Sequence, residues 1–159
     1  MQTFKDKNGE LWHIELNVGS AKRVKAECNV NLIDVIVVNE NDVETTVFEQ
    51  LSNDIELLVD VLFTLCRNEA SGRGMNAEDF ASCFDGETVE KSCDALISEI
   101  INFSPPIRRK TLTKIWKMST DLMGEMEQKV DTILESPEFE SEIKSQFSKS
   151  FTDMPGSAE

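Results

Sequence analysis

The sequence predicts a mainly helical α+β fold, in which an N-terminal β-hairpin packs on a helical core and a long C-terminal helix follows. Over residues 3–16, apolar and polar side chains alternate on either side of a polar turn, as they do in a hairpin. Residues 52–70 are apolar on most of a helix circumference, which is typical of a central helix. Residues 107–135 repeat apolar side chains every three or four positions, which predicts a helix about 40 Å long.

The chain has 159 residues, 40% of them hydrophobic, which is enough for one domain with a real core. We expect a compact α+β domain over residues 1–103. A long amphipathic helix then covers residues 104–135, and residues 136–159 form a weakly helical to disordered acidic tail. Prolines set both boundaries, because Pro105 and Pro106 stop one helix and Pro137 interrupts the next.

The hairpin comes first, with a polar turn that ends in Gly9. Its second arm places Trp12, Ile14 and Leu16 on one face, which is the face we expect to be buried. Residues 35–38 form a short segment of β-branched side chains, which predicts a strand. Whether this strand joins the hairpin as a third strand stays open at this point.

The predicted core helix begins after Ser52 or Asn53, either of which is a favourable N-cap residue. A short helix begins at Asn76, where Asp79 three residues later completes a capping-box pattern. A further apolar helix then runs to Phe103. Together these helices form the predicted core.

Charge is unevenly distributed along the chain, whose formal net charge is −14. Nine acidic residues and no Lys or Arg lie between residues 26 and 66, whereas residues 105–118 carry five basic residues and no acidic one. The basic segment is either the solvated face of a helix or a dock for acidic patches of this fold or a neighbour. The negative field around it argues against nucleic acid as a partner.

No catalytic or ligand motif stands out in the sequence. The sole histidine, His13, shares a strand face with Glu15, but a surface histidine is far more common than a catalytic one. The four cysteines are widely spread and lack the close pairing of a zinc site or disulfide framework. We therefore expect a protein that is not an enzyme and has no metal and no cofactor.

Membrane and export signals are also lacking in the sequence. No apolar run reaches the roughly 20 residues of a membrane span. The N-terminus has no basic region followed by an apolar one, as a signal peptide would. We therefore expect a protein inside a cell, with no membrane partner.

The order of elements over residues 1–103 carries a family resemblance. The hairpin MQTFKDKNGELWHIEL precedes the Leu-rich DIELLVDVLFTLC, and GMNAEDFASCFDGETVEKSCDALISEIINF closes the compact part. This order resembles the small tail assembly chaperones of long-tailed bacteriophages, also found in prophages and gene transfer agents. The resemblance implies a chaperone in the host cytoplasm that binds the tape measure protein and keeps it soluble before the tail tube polymerises. The long helix and acidic tail match no motif of that family.

The long helix carries more apolar surface than a small core can cover, so we expect it to bind a partner helix. That partner is the tape measure protein or another helical virion protein, or a second copy that self-associates through residues 107–135. The candidate partner-binding residues are Leu112, Ile115, Trp116, Leu122, Met123, Met126, Arg108 and Arg109.

Other functions stay open at this point. The main alternative is a virion structural or connector protein that self-assembles through the long helix. A hydrolase using His13 and Glu15 and an acidic mimic of nucleic acid are further hypotheses.

Overall fold

A computed structural model describes residues 1–34, 36–38 and 44–152. The fold is mainly helical α+β, with a two-stranded N-terminal hairpin and a long C-terminal helix, so the predicted class is confirmed. Val35, the predicted start of the third strand, and residues 153–159 of the predicted tail lie outside the described residues. The elements are β1 (Gln2–Lys5), β2 (Leu11–Ile14), α1 (Val18–Cys28), β3 (Ile36–Val38), β4 (Glu44–Thr46), α2 (Val47–Asn53), α3 (Ile55–Leu65), α4 (Arg67–Gly72), α5 (Ala77–Ala81), α6 (Gly86–Phe103), α7 (Pro106–Leu134) and α8 (Pro137–Thr152).

The chain divides into two compact units, Met1–Thr113 and Lys114–Glu159. This division falls inside α7. The first turns of α7 belong to unit 1 because Leu112 is buried there, with only 5% of its surface exposed.

The hairpin is held by its turn as well as by its strands. β1 pairs antiparallel with β2, with Phe4 opposite Trp12. The buried carboxylate of Asp6 accepts hydrogen bonds from the backbone N–H groups of Asn8 (2.8 Å) and Glu10 (3.0 Å) and from the indole Nε1 of Trp12 (3.0 Å). These donors satisfy the hydrogen-bonding capacity of the buried carboxylate. Asp6 therefore holds the turn of the hairpin against the Trp12 indole.

An aromatic cluster joins the hairpin to the helices of unit 1. Trp12 and Phe80 are completely buried, and their rings meet edge to face with centroids 4.8 Å apart. Phe80 of α5 also contacts Phe63 of α3 at 5.5 Å and Phe84 at 5.1 Å. The face of the second arm predicted to be buried is therefore the buried one.

The core helix was predicted to begin after Ser52 or Asn53, but one helix ends there and a second begins. α2 is capped by Thr46 and Glu49, which form a reciprocal capping box, and it extends to Asn53. Asp54 then donates its N–H to Gln50 of α2 and accepts from the N–H of Leu57 in α3, each at 3.0 Å. The prediction that Ser52 or Asn53 caps the core helix is wrong, because the chain is still helical there and Asp54 is the cap.

The third strand pairs with a fourth strand that the sequence reading did not predict. β3 and β4 are antiparallel, with Val37 opposite Thr45. Within the described residues the hairpin therefore stays two-stranded. β4 has the sequence Glu-Thr-Thr, which is too short and too polar to be recognised as a strand by its pattern.

Prolines begin both C-terminal helices. α7 starts at Pro106, where the missing N–H and fixed φ of proline suit a first helical position. α8 starts at Pro137 and is capped by Ser136, whose Oγ accepts from the N–H of Phe139 at 3.3 Å. The predicted weak helix is therefore a helix of 16 residues up to Thr152.

Candidate interaction surface

The part of α7 in unit 2 exposes a continuous apolar face, here called the α7 stripe. Its side chains recur every three or four residues, so they lie on one side of the helix. Each keeps between 49% and 61% of its surface exposed. The members of the stripe are Met118, Leu122, Met123, Met126, Val130, Ile133 and Leu134.

The predicted apolar site residues fall into three groups along α7. Leu112 is buried in unit 1 and is not available to a partner. Ile115 and Trp116 are half-buried. Only Leu122, Met123 and Met126 belong to the exposed stripe. Apart from Ile107, which is 86% exposed, the exposed large apolar side chains of α7 therefore lie from Met118 onwards.

The two predicted arginines are used within unit 1. Arg108 Nη1 donates to the carbonyl of Ile33 at 3.3 Å. Arg109 Nη2 donates to the carbonyls of Asn102 (2.8 Å) and Ser104 (3.2 Å), at the C-terminal end of α6. Carbonyls at the end of a helix lack intrahelical partners, so Arg109 satisfies them and ties the start of α7 to α6.

The stripe also contains residues that were not among the predicted site residues. Val130, Ile133 and Leu134 continue the spacing of Leu122 and Met126, and 49–55% of their surface is exposed. Their signal was present in the sequence as the same three-and-four repeat. The sequence pattern does not show at which residue of α7 the buried core ends.

The hydrolase hypothesis required His13 to pair with Glu15, but His13 pairs with another carboxylate. Its backbone N–H and its Nδ1 each lie 2.9 Å from an oxygen of Glu69 in α4. Burial acts to raise the pKa of Glu69, but the hydrogen bonds from the His13 backbone and ring outweigh it, so the net pKa lies below its ordinary value. Glu69 is therefore a carboxylate at neutral pH, and it holds β2 to α4.

The side chains next to the His13–Glu69 contact also hold the fold together. Arg73 lies over the Trp12 ring at 4.0 Å and donates through Nη2 to the carbonyl of Leu11 at 2.7 Å. The Cys66 thiol donates to the carbonyl of His13 at 3.4 Å. Burial raises the pKa of Cys66 to about 12. Since only a thiolate is a nucleophile, the protonated Cys66 does not complete a catalytic pair with His13.

An open groove of about 470 Å³ lies where α1 and α2 end. Its carboxylates are Glu49 and Asp54. Both are engaged locally, because Glu49 accepts from the N–H of Thr46 at 3.4 Å and Asp54 accepts from that of Leu57 at 3.0 Å. The groove therefore presents helix caps and not a set of free ligands.

Two other kinds of site are lacking in the described part of the chain. No group of three or more His, Cys, Asp or Glu side chains is placed to hold a metal ion there. No helix of the described residues has both the length and the apolar character needed to cross a bilayer.

No protein-family model matches the sequence, and no curated protein or solved structure matches it significantly. The resemblance to tail assembly chaperones therefore rests on the order of the hairpin and helices alone. The exposed α7 stripe is the feature of this molecule that points to a partner.

Proposed function

We propose that this chain is a non-enzymatic tail assembly chaperone that binds the tape measure protein in the host cytoplasm and keeps it soluble before the tail tube polymerises. The observation that carries the proposal is the α7 stripe. An apolar face of this length on a helix is the geometry of a helix-in-groove or helix-on-helix contact. The class of client comes from the resemblance over residues 1–103.

The exposed area of the stripe is large enough to give useful affinity. Complete burial of a Leu, Ile or Met side chain contributes about 1.5–3 kcal/mol. Half of that surface is already covered, so each member of the stripe can contribute about 1 kcal/mol more. Part of this total is lost to the ordering of both partners, which leaves reversible binding. Reversibility suits a chaperone that must release its client.

The chemistry of the stripe suits a long client with a varying surface. Met118, Met123 and Met126 are unbranched and polarisable, so they can adapt to differently shaped partners. The net charge of −14 supports the same function, because it keeps a complex soluble and repels the genome.

The proposal is tested by co-expression with its client, encoded as the long coiled-coil reading frame nearest to this gene. The wild-type chain is expected to keep that protein in the soluble fraction and to co-purify with it. Leu122→Glu with Met126→Glu is expected to abolish both, because two buried charges would be placed in the contact.

The matched control places the same two charges on the opposite side of the same helix, as Thr120→Glu with Gln128→Glu. Both positions are exposed, and the control is expected to behave as wild type. Equal loss in both variants, or none in either, would reject the stripe as the binding surface. Stable rings or filaments formed by the chain alone would favour the virion connector instead.

A further inference from the structure

The helix that follows the α7 stripe has an apolar side of its own. Phe139, Ile143 and Phe147 recur every four residues, so they lie on one side of α8. Phe147 keeps 61% of its surface exposed, whereas Phe139 and Ile143 are half-buried. The opposite side carries the exposed Ser141 and Ser145. α8 is therefore amphipathic, although no side chain in the described part of unit 2 is buried.

The connection between α7 and α8 is short enough for a helical hairpin. Only Glu135 and Ser136 lie between the two helices, and antiparallel helices are commonly joined by two to five residues. α8 has 16 residues and is about 24 Å long, which is also the distance along α7 from Met118 to Leu134. Folded back at Ser136, α8 would therefore reach along almost the whole stripe.

The junction itself interrupts the backbone hydrogen bonding of the helix. Pro137 has no N–H to donate to the carbonyl of Ile133, which accepts instead from the N–H (3.1 Å) and the Oγ (2.7 Å) of Ser136. The same Oγ accepts from the N–H of Phe139 at 3.3 Å. α8 therefore has its own N-cap, and its direction can change at Ser136 without unwinding either helix.

The apolar sides of the two helices match in register. An antiparallel fold at Ser136 places side by side those residues that are about equally far from it along the chain. Three pairs of apolar side chains meet in this way, with the spacing of two packed helices. The pairs are Ile133 with Phe139, Val130 with Ile143, and Met126 with Phe147.

The charges at the edges of the two apolar sides also match. Successive residues are turned by about 100° around a helix, so Glu127 and Lys129 lie at opposite edges of the α7 stripe. Glu142 and Lys144 lie in the same way at opposite edges of the apolar side of α8. Antiparallel packing brings Lys129 beside Glu142 at one edge and Lys144 beside Glu127 at the other. Parallel packing would bring like charges together at both edges.

Contacts in the open arrangement do not use these four edge charges. All four side chains are exposed, and none forms an ion pair in the part of the chain that the structure describes. Partners along the same helices, Glu125 for Lys129 and Glu140 for Lys144, are four residues away and unpaired as well. The edge charges are therefore available to a helix packed on the stripe.

We propose that α8 folds back on the α7 stripe and occupies it when no client is bound. The structure is the open form of this device, and the closed form is an antiparallel helical hairpin. The inference rests on the proposed function, because it concerns regulation of the same surface. A segment tethered by two residues has an effective concentration on the order of millimolar. Only a client that binds the stripe more strongly than α8 then displaces it.

The closed form is tested by disulfide trapping in the full chain. Met126→Cys with Phe147→Cys places two thiols on the facing sides, and diamide is expected to join them within one chain. The matched control, Met126→Cys with Ser145→Cys, places the second thiol on the opposite side of α8. The control is expected to react about tenfold more slowly, because its thiols do not meet in the closed form. Mass spectrometry of the intact chain and of linked peptides separates bonds within one chain from bonds between chains.

Reversal of the edge charges tests the register. Lys129→Glu with Lys144→Glu, added to the trapping variant, turns both attractions into repulsions. This change is expected to slow trapping roughly fivefold in about 0.05 M NaCl. Adding Glu127→Lys and Glu142→Lys restores both pairs and the net charge, and is expected to restore the rate.

A control separates these pairs from net charge alone. Lys114→Glu with Lys117→Glu makes the same change in net charge at exposed positions before the stripe. The rate of trapping is expected to stay within about twofold of the unmodified trapping variant. Equal rates for Phe147→Cys and Ser145→Cys, or a bond formed only between chains, would overturn the closed form. A rate that ignores reversal of the edge charges would overturn the proposed register.

The two proposals fail in distinguishable ways, because trapping is measured without a client. Equal rates in the trapping variant and its control, for a chain that keeps the tape measure protein soluble, would reject the closed form alone. Fast trapping within one chain that fails to keep this protein soluble would support the closed form and reject the client.

Discussion

Single buried polar groups decide how unit 1 is held together, and Asp6 is the clearest case. Its carboxylate accepts from two backbone N–H groups and from the buried indole of Trp12. The sequence showed a polar turn at this position but gave no sign that one carboxylate would serve three donors. The identity of its third donor depends on the pairing of β1 with β2, which a local pattern does not contain.

Replacing Asp6 should therefore destabilise the protein in a graded way. Asp6→Ala leaves the buried Trp12 N–H without an acceptor and removes both turn bonds, and is expected to cost about 3 kcal/mol of unfolding free energy. Asp6→Asn keeps an oxygen for the turn and should cost less. Urea unfolding of both variants measures this. A loss from Asp6→Ala below about 1 kcal/mol would contradict the assigned role.

The Cys66 thiol should make stability depend on alkaline pH. Its pKa is raised by burial from the ordinary 9.0 to about 12. A raised folded pKa contributes stability that is complete below the unfolded pKa and is lost as pH rises towards the folded value. The free energy of unfolding should therefore fall above pH 9, and more steeply in wild type than in Cys66→Ala. Tyr is absent from the chain, so no phenol ionises in this range. Parallel curves for the two proteins would rule this out.

At the scale of elements, the sequence identified helices well and misplaced their junctions. The predicted class, the hairpin and α7 follow from period and proline positions, which are local signals. The break between α2 and α3 does not, because Ser52, Asn53 and Asp54 are all good N-caps and only packing selects among them. β4 was missed because pairing with β3, and not its composition, makes it a strand.

The junction between α2 and α3 gives a test of the cap assignment. Asp54→Ala removes the acceptor for the N–H of Leu57 and is expected to cost about 1 kcal/mol of unfolding free energy. Asn53→Ala alters an exposed neighbour that caps nothing, and is expected to change stability by less than about 0.5 kcal/mol. Urea unfolding compares the two, and a larger cost for Asn53→Ala would show that the cap is misassigned.

At the scale of the whole molecule, the buried core and the candidate binding surface lie in different parts of the chain. Every buried apolar residue in the described part of the chain lies at or before Leu112. Sequence periodicity treated α7 as one amphipathic helix, because a repeat does not reveal which of its residues the core reaches. The predicted site residues run from Arg108 to Met126, whereas the exposed apolar side chains of the α7 stripe run from Met118 to Leu134.

This division predicts how truncated chains behave. A fragment of residues 1–113 should keep the stability of unit 1, with an unfolding free energy within about 0.5 kcal/mol of the same transition in the full chain. A fragment of residues 1–103 lacks Leu112 and Arg109, and should lose about 2–5 kcal/mol. Urea unfolding of both fragments measures the difference. Equal stability of the two would contradict the assignment of the start of α7 to unit 1.

Hydrogen–deuterium exchange on the purified chain, with and without its proposed client, the tape measure protein, tests the central claim most directly. The α7 stripe is proposed to be the surface that meets another polypeptide. Added client should therefore slow amide exchange over residues 115–134 and leave the hairpin and α6 unchanged. Unchanged exchange over residues 115–134 in a complex that has formed, with protection in unit 1 instead, would contradict the account.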